Sequence, residues 1–285
     1  MDNHTFALCL THDVDRIYQT YQPLYYGLRQ GDLDRILGFF SDKNPYWQFE
    51  EIMRLEDELD VRSSFYFLNE QNLFDDRPVR DLLDPQAWKL FAGRYDIYDP
   101  DVSDVIRTLD ERGWEVGLHA SYKSFNDQDR LRMEKETIES LLGSDIAGGR
   151  QHYLNLKTPK TWKYHREIGL HYDSSLGSSE TFGFTHGYGP IYPFDDEFVV
   201  FPLTLMEVTV MRDRDQDAAR ELCFDLLTEA RNNGAVMTVL WHPRFFAEDI
   251  YPGYRDLYAE LIEKALDMGA WVGPCNACYE EVIAK

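Results

Sequence analysis

The chain has 285 residues, with 29 basic against 51 acidic side chains and a formal net charge of −22. A surface this acidic repels polyphosphate and anionic lipid, which argues against nucleic acid or membrane headgroups as partners. With 44% hydrophobic and 14% aromatic residues a sizeable core is available, and global disorder is excluded.

Short apolar runs alternate with helical periods along the chain. Phe6 to Thr11 reads as a buried strand, and Phe49, Ile52, Met53, Leu55 and Leu59 fit a helix of period 3.6. Ser63 to Leu68 is strand-like. Asp101 is a candidate cap for a helix carrying Val102, Val105, Ile106 and Leu109, which Gly113 stops. Trp114 to His119 is the next strand. Asp127 to Leu142 is a charged helix with Leu131, Ile138, Leu141 and Leu142 as its inner stripe. A strand near 146–153 and a helix opened by Pro159 follow, then a strand from Leu170 to Ser174. The Gly-, Pro- and aromatic-rich stretch 177–196 reads as a long loop. Phe198 to Val210 looks like one or two strands. Helices over 215–233 and 254–268 flank a strand over 236–241, and a last strand over 270–272 follows Gly269.

This alternation predicts parallel strands joined by crossover helices. Seven or eight units suggest an α/β fold, a distorted (β/α)7-8 barrel, with an open doubly wound sheet as the rival. No glycine-rich nucleotide fingerprint follows any strand. One domain is expected, with insertions near 16–45 and 177–196. The start, Met1-Asp2-Asn3-His4-Thr5, lacks the basic region and apolar run of a secretory leader. No apolar stretch approaches the ~18 residues of a membrane span, and the sequence reads as cytoplasmic. Cys9, Cys223, Cys275 and Cys278 are too few for a disulfide scaffold. The single CxxC reads as two incidental thiols, because a zinc site needs two more ligands.

Active groups in a parallel barrel gather at the C-terminal strand ends. Five such ends carry titratable groups: Asp13 and Asp15, His119, Arg150 with His152 and Tyr153, Asp173, and Trp241-His242. Asp13 and Asp15 alternate on one strand and face the same way, and two carboxylates that close call for a cation. With His119 they suit a divalent metal, Arg150 is placed to hold one carboxylate ionised, and His242 suits a general acid. The sum is metal-assisted hydrolysis of a carbonyl compound. The plain alternative is a buried Asp13–Arg150 ion pair tying strands together. His12 points away from Asp13 and is expected in an outer layer or at the surface. His4, His165 and His171 look like surface or helix-end residues, and His186 in the glycine-rich loop is a candidate substrate contact.

These strand ends resemble the polysaccharide deacetylase (NodB-homology) family. Thr11-His12-Asp13-Val14-Asp15 is similar to its first motif, and Glu115-Val116-Gly117-Leu118-His119 to its second. Arg150-Gln151-His152-Tyr153 resembles its Arg-x-Pro-Tyr motif, Tyr172-Asp173-Ser174-Ser175-Leu176 a common family segment, and Leu240-Trp241-His242 its final motif. The likeness spans nearly the whole chain. The THDVD start with GLHxSY and RQHYL resembles a subgroup linked to bacterial surface-glycan biosynthesis. The resemblance implies Asp13 as base, Asp15 and His119 as metal ligands, Arg150 orienting the base, the Tyr153 N–H in an oxyanion hole, and His242 as acid.

Two positions depart from the family pattern. Lys123 stands where a second motif-two histidine belongs, and His152 where proline belongs. An ammonium cannot ligate a metal, so His152 is the candidate third ligand to a divalent ion, with zinc the expected one, and without it the site has two ligands or no metal. The expected substrate is an amino-sugar or glycan bearing an N-acetyl or N-formyl group. Lys123, Tyr122, Asp173, His186 and Trp241 are its candidate contacts, with Phe182, Phe184, Tyr188 and Tyr192 as further aromatic candidates. Two other readings stay open: a hydrolase of non-sugar amides, and a glycan-binding or glycan-modifying protein whose metal site has decayed.

Overall fold

The structure, a computed structural model, describes residues 4–19, 31, 44–74 and 76–283. Most of the insertion expected near 16–45 lies outside them. Nine strands are present among the described residues: β1 (Ala7–Val14), β2 (Ser64–Leu68), β3 (Glu115–Ala120), β4 (Gly148–Gln151), β5 (Tyr172–Asp173), β6 (Val199–Val200), β7 (Leu203–Met206), β8 (Val236–Leu240) and β9 (Trp271–Gly273). The first eight form one parallel sheet in the order β6-β5-β4-β3-β2-β1-β8-β7, and β9 pairs with the start of β1. The helices are α1 (Phe49–Glu58), α2 (Pro85–Phe91), α3 (Pro100–Glu111), α4 (Gln128–Leu142), α5 (Lys160–Glu167), α6 (Glu207–Val210), α7 (Gln216–Asn233), α8 (Tyr254–Asp267) and α9 (Cys275–Ile283).

Central strands covered on both faces carry continuous apolar runs, and every residue of β1, β2 and β3 is buried. The sheet curls until both its edges belong to one segment. Residues 199–206 pair with β5 through their first half and with β8 through their second. Between them the Phe201 N–H donates to the Asp173 carbonyl (2.9 Å) and the Leu203 N–H to that of Leu176 (2.8 Å). Pro202, without an N–H, occupies the bend. The result is the expected distorted (β/α) barrel, and the open doubly wound sheet is excluded.

Register then decides the site. Asp13 stands opposite Tyr66, and His119 opposite both Leu68 and Arg150, so the chemically active strand ends finish at one level. β4 reaches this level through two glycines. A Cβ at Gly149 would lie 2.0 Å from the Leu118 carbonyl oxygen, and one at Gly148 2.4 Å from the Tyr172 ring.

On the outer face of β1, His12 is fully buried rather than solvent-facing. Its Nε2 lies 3.1 Å from Glu56 of α1, whose carboxylate also accepts from Trp114 Nε1 (2.7 Å) and Tyr258 Oη (2.7 Å). At the floor of the barrel the buried Glu115 carboxylate accepts from Ser64 Oγ (2.6 Å), Tyr172 Oη (2.5 Å) and the Asn276 N–H at the start of α9 (2.9 Å). The CxxC motif opens α9 directly after β9. Cys9, Cys275 and Cys278 are nevertheless free thiols with no exposure, packed among Ala7, Tyr66 and Phe201. Hydrogen bonds to the other two thiols, with burial, push Cys9 well above its ordinary value, and all three side chains, closed off from solvent, serve as packing.

Gly149→Ala forces either β3 or β4 to move. We expect a loss of about 3 kcal/mol or more, read as a fall in melting temperature of several degrees or as loss of soluble protein. Gly143→Ala, where a Cβ meets nothing within 4 Å, is the comparison that carries only the cost of its φ of 77°.

Candidate active site

The strand ends enclose a cleft of about 230 Å³ lined by Asp13, Asp15, His119, His152, Tyr153, Leu154, Ser179, Met206, Val208, Leu240, His242 and Arg244. Asp13 is held by Arg150, which is fully buried. Arg150 Nη1 donates to Asp13 Oδ1 and to Thr11 Oγ1, both at 2.8 Å. Its Nε donates to the Ser174 carbonyl (2.7 Å) and its Nη2 to Ser174 Oγ (2.8 Å), while the guanidinium lies over the Tyr66 ring. Burial alone would raise Asp13. The charge of Arg150, with its hydrogen bond and the lesser pull of His242, outweighs it and holds this carboxyl below its ordinary value.

His119 Nδ1 lies 3.0 Å from the Arg150 carbonyl, which only accepts, so the proton sits on Nδ1. Nε2 is left as an acceptor 3.9 Å from Asp13 Oδ2. Burial lowers the His119 pKa against the pull of Asp13 and keeps the ring neutral. Across the cleft, His242 Nδ1 lies 2.7 Å from Oε1 of the fully buried Glu207, the first residue of α6. Burial lowers His242, but Glu207 more than reverses this and raises it above its ordinary value. A base held low and an acid held high therefore face one cavity.

The metal ligands implied by the resemblance are arranged differently. Asp15 and His152 do line the cleft with His119. Yet Asp15 Oδ1 accepts from Arg244 Nη1 at 2.5 Å, and the Asp15 carbonyl accepts from Arg94 Nη1 at 2.8 Å. Arg94 Nη2 also stands 3.5 Å from His152 Nε2. The other ring nitrogen, Nδ1, has no hydrogen-bond partner and lies 3.7 Å from Glu70 Oε2. Burial, only partly offset by Glu70, pushes His152 down to about 4. A divalent ion needs three or more donors converging on one point. Among the described residues no three of His, Cys, Asp and Glu do so, and two guanidinium groups attend the donors instead. The site as arranged does not fit the ion.

Several expected substrate contacts lie elsewhere. Lys123 is exposed and lines a separate cleft with Asn126, Asp127, Gln128, Asp129 and Tyr164. Trp241 is fully buried and packs on Tyr258, a core residue rather than a sugar platform. Asp173 is also fully buried: its carboxylate accepts from Trp162 Nε1 (3.1 Å) and Ser175 Oγ (2.5 Å) and faces His165 (3.2 Å). His165, expected at a surface or helix end, is thus a buried structural partner. His186 is exposed in the loop and is not among the residues of the cleft wall. Tyr122 is half-buried behind the cleft, its ring centroid 5.5 Å from that of Tyr153. The aromatic on the cleft wall is Tyr153, 49% exposed, with Lys89 over its ring. Tyr153 (φ 59°) and Leu154 (φ 54°) are both left-handed, a strained turn of the kind kept where a site requires it.

Arg244, Glu207, Arg94 and Glu70 escaped the sequence reading. Arg244 stands two residues after His242 and was open to notice; the other three come from outside every motif.

No family model and no curated protein matches this sequence. Solved structures do match its fold. A Mycobacterium smegmatis protein assigned to the polysaccharide deacetylases superposes with a TM-score of 0.63 at 19% identity, over 99% of this chain and 92% of that one. A CE4-family pseudoenzyme from Bacillus anthracis matches with a TM-score of 0.51 at 12% identity, over 98% of this chain and 66% of that one. A mutant pseudoenzyme of the CE4 family, with restored enzymatic activity, matches with a TM-score of 0.51 at 13% identity, over 98% and 69%. At these identities the shared property is the fold: this chain has the architecture of the CE4 polysaccharide deacetylases.

Arg150→Met leaves Asp13 buried without its cation and is expected to cost about 3–5 kcal/mol, measured by denaturant unfolding. Glu207→Gln removes the charge that raises His242, leaving burial and Arg244 to lower it against the smaller upward pull of Asp15. NMR titration of the His242 ring should then give a value below the ordinary ~6.5 of a free imidazole.

Proposed function

We propose that this protein is a hydrolase that removes an N-acyl group, acetyl or formyl, from a sugar. The observation carrying this reading is the pair of oppositely tuned dyads, Asp13–Arg150 and His242–Glu207, facing one small cleft. A water donating to both Asp13 Oδ2 and His119 Nε2, acceptors 3.9 Å apart, is held for attack on the acyl carbon. Asp13 takes its proton, and His242 protonates the departing nitrogen. Tyr153, exposed at the mouth, is placed to carry the flat face of a sugar ring. The likeness of the fold to polysaccharide deacetylases supports a carbohydrate substrate.

The finer assignment is to a precursor of a surface glycan, handled in the cytoplasm. It is supported by the sequence resemblance. Among the described residues no helix is long and apolar enough to cross a membrane. A second reading, a glycan-binding protein that no longer hydrolyses, is favoured by the Asp15–Arg244 pair and by the exposed position of Lys123.

The test is release of free amine from N-acetyl and N-formyl amino sugars, free and nucleotide-linked. Asp13→Asn and His242→Asn are each expected to lower kcat by about 100- to 10,000-fold with intact folding. In the wild type, kcat should fall as pH rises through the raised His242 value, because the acid then lacks its proton. Glu207→Gln should move that limb to lower pH. If Asp13→Asn weakens glycan binding and no turnover is found with the wild type, the binding-protein reading holds.

A further inference from the structure

Arg244 is the least expected member of the cleft. It follows His242 by two residues in the single 3-10 turn Pro243–Phe246 that caps β8, so the same turn that delivers the acid delivers a guanidinium. One of its nitrogens, Nη1, is committed to Asp15 Oδ1. Among the described residues its Nε and Nη2 make no hydrogen bond, although the side chain is largely buried and lines the cavity. Burial lowers its pKa, but the charges of Asp15 and Glu207 more than reverse this. Arg94 is a second guanidinium nearby: it is 7% exposed, holds the Asp15 carbonyl, and reaches His152 without pairing to any carboxylate among the described residues.

Electrostatics makes these observations one statement. A divalent ion bound by Asp15, His119 and His152 would share Asp15 with one guanidinium and crowd a second at His152. Like charges at such separations in a poorly solvated cleft repel strongly. Ion and arginine therefore compete for the same carboxylate, and the arginine is covalently tethered there at high effective concentration. A planar fork is also well suited to holding one carboxylate while offering further N–H groups to a second oxygen.

We infer that Arg244 is the resident cation of this cleft: it holds Asp15 in an ion pair that keeps a divalent metal from Asp15, His119 and His152, and presents its remaining N–H groups to the ligand's oxygen. The second half rests on the deacylase reading; the exclusion of metal does not.

The experiment is a metal-binding series on the full chain. Wild type, Arg244→Ala, Arg244→Gln and Arg244→Lys are stripped with a chelator, equilibrated with zinc or cobalt ions at neutral pH and physiological ionic strength, and gel-filtered. Bound metal is read by elemental mass spectrometry, affinity by competition with a chromophoric chelator, and folding by circular dichroism. Wild type and Arg244→Lys should retain little metal. Arg244→Ala, or Arg244→Gln if the alanine variant is unstable, should bind at least about tenfold more tightly. Adding Asp15→Asn to that variant should abolish the gain, which places the ion at this carboxylate rather than at surface acids or the buried thiols. One tightly held ion per chain in the wild type, lost in its Asp15→Asn variant, would overturn the inference, and so would equal metal affinity with and without Arg244. Neither result depends on turnover, so failure of the deacylase reading would show separately as absent amine release.

Discussion

A guanidinium with no exposure to solvent must be satisfied on every side, and in this barrel that requirement organises the mouth. Arg150 reaches β1 through Thr11 and Asp13 and the end of β5 through both oxygens of Ser174. A buried charge is tolerable only when paired and fully hydrogen-bonded. Four acceptor atoms, on three residues of two segments far apart in the chain, are therefore drawn to one point, and the strands that supply them are locked in register. The glycines at 148 and 149 belong to the same constraint, because β4 must lie close to β3 and to Tyr172 for Arg150 to reach inward. Asp13 is held ionised as a by-product of the architecture, and a carboxylate so held is available as a base.

Around this pair the cleft is built from charges that are each matched locally. Asp13 has Arg150, Asp15 has Arg244, and Glu207 has His242. For Asp13, Asp15 and His242 burial alone would favour the neutral form, so the sign of each shift follows from its partner rather than from depth. Neutral His119 and His152 complete the wall, their rings 5.2 Å apart. The chain carries a large negative excess, yet its cleft holds its own cations. The charge of the surface and the charge of the site are separate properties, one governing solubility and steering and the other chemistry.

The legible parts of the fold are those that rest on local physics. Asp127 and Asp215 cap α4 and α7 by accepting from backbone N–H groups, and Gly143 and Gly234 end them in left-handed conformation. Both ends follow from side-chain reach and from the absence of a Cβ. The cap of α3 is Asp99 rather than Asp101, because Pro100 occupies the first helical position and shifts the start. Residues 207–210 are helical although Val208 and Val210 favour strand, since the chain must turn out of the barrel after Met206. Asp173, expected to meet substrate, and His165, expected at a surface or helix end, differ for a related reason. The two face each other inside the core, His165 Nδ1 lying 3.2 Å from Asp173 Oδ2, a contact between segments that neither local pattern announces.

The sequence by itself determined the class of fold, the order of strands and helices apart from α2, α6 and α9, and the placement of Asp13, Asp15, His119, Arg150, His152 and His242 at strand ends. Periodicity, caps and strand alternation are set by neighbours in the chain, and the rule that parallel barrels act at their C-terminal ends needs only the strand order. Tertiary structure alone decided the partners. Whether Asp15 meets a metal donor set or Arg244, whether Trp241 faces a ligand or Tyr258, and which carboxylate raises His242 depend on distances between segments far apart in sequence. Glu207 and His242 are 35 positions apart, and Asp15 and Arg244 are 229 apart. Such contacts are fixed by the curl and register of the closed sheet, which no local pattern encodes.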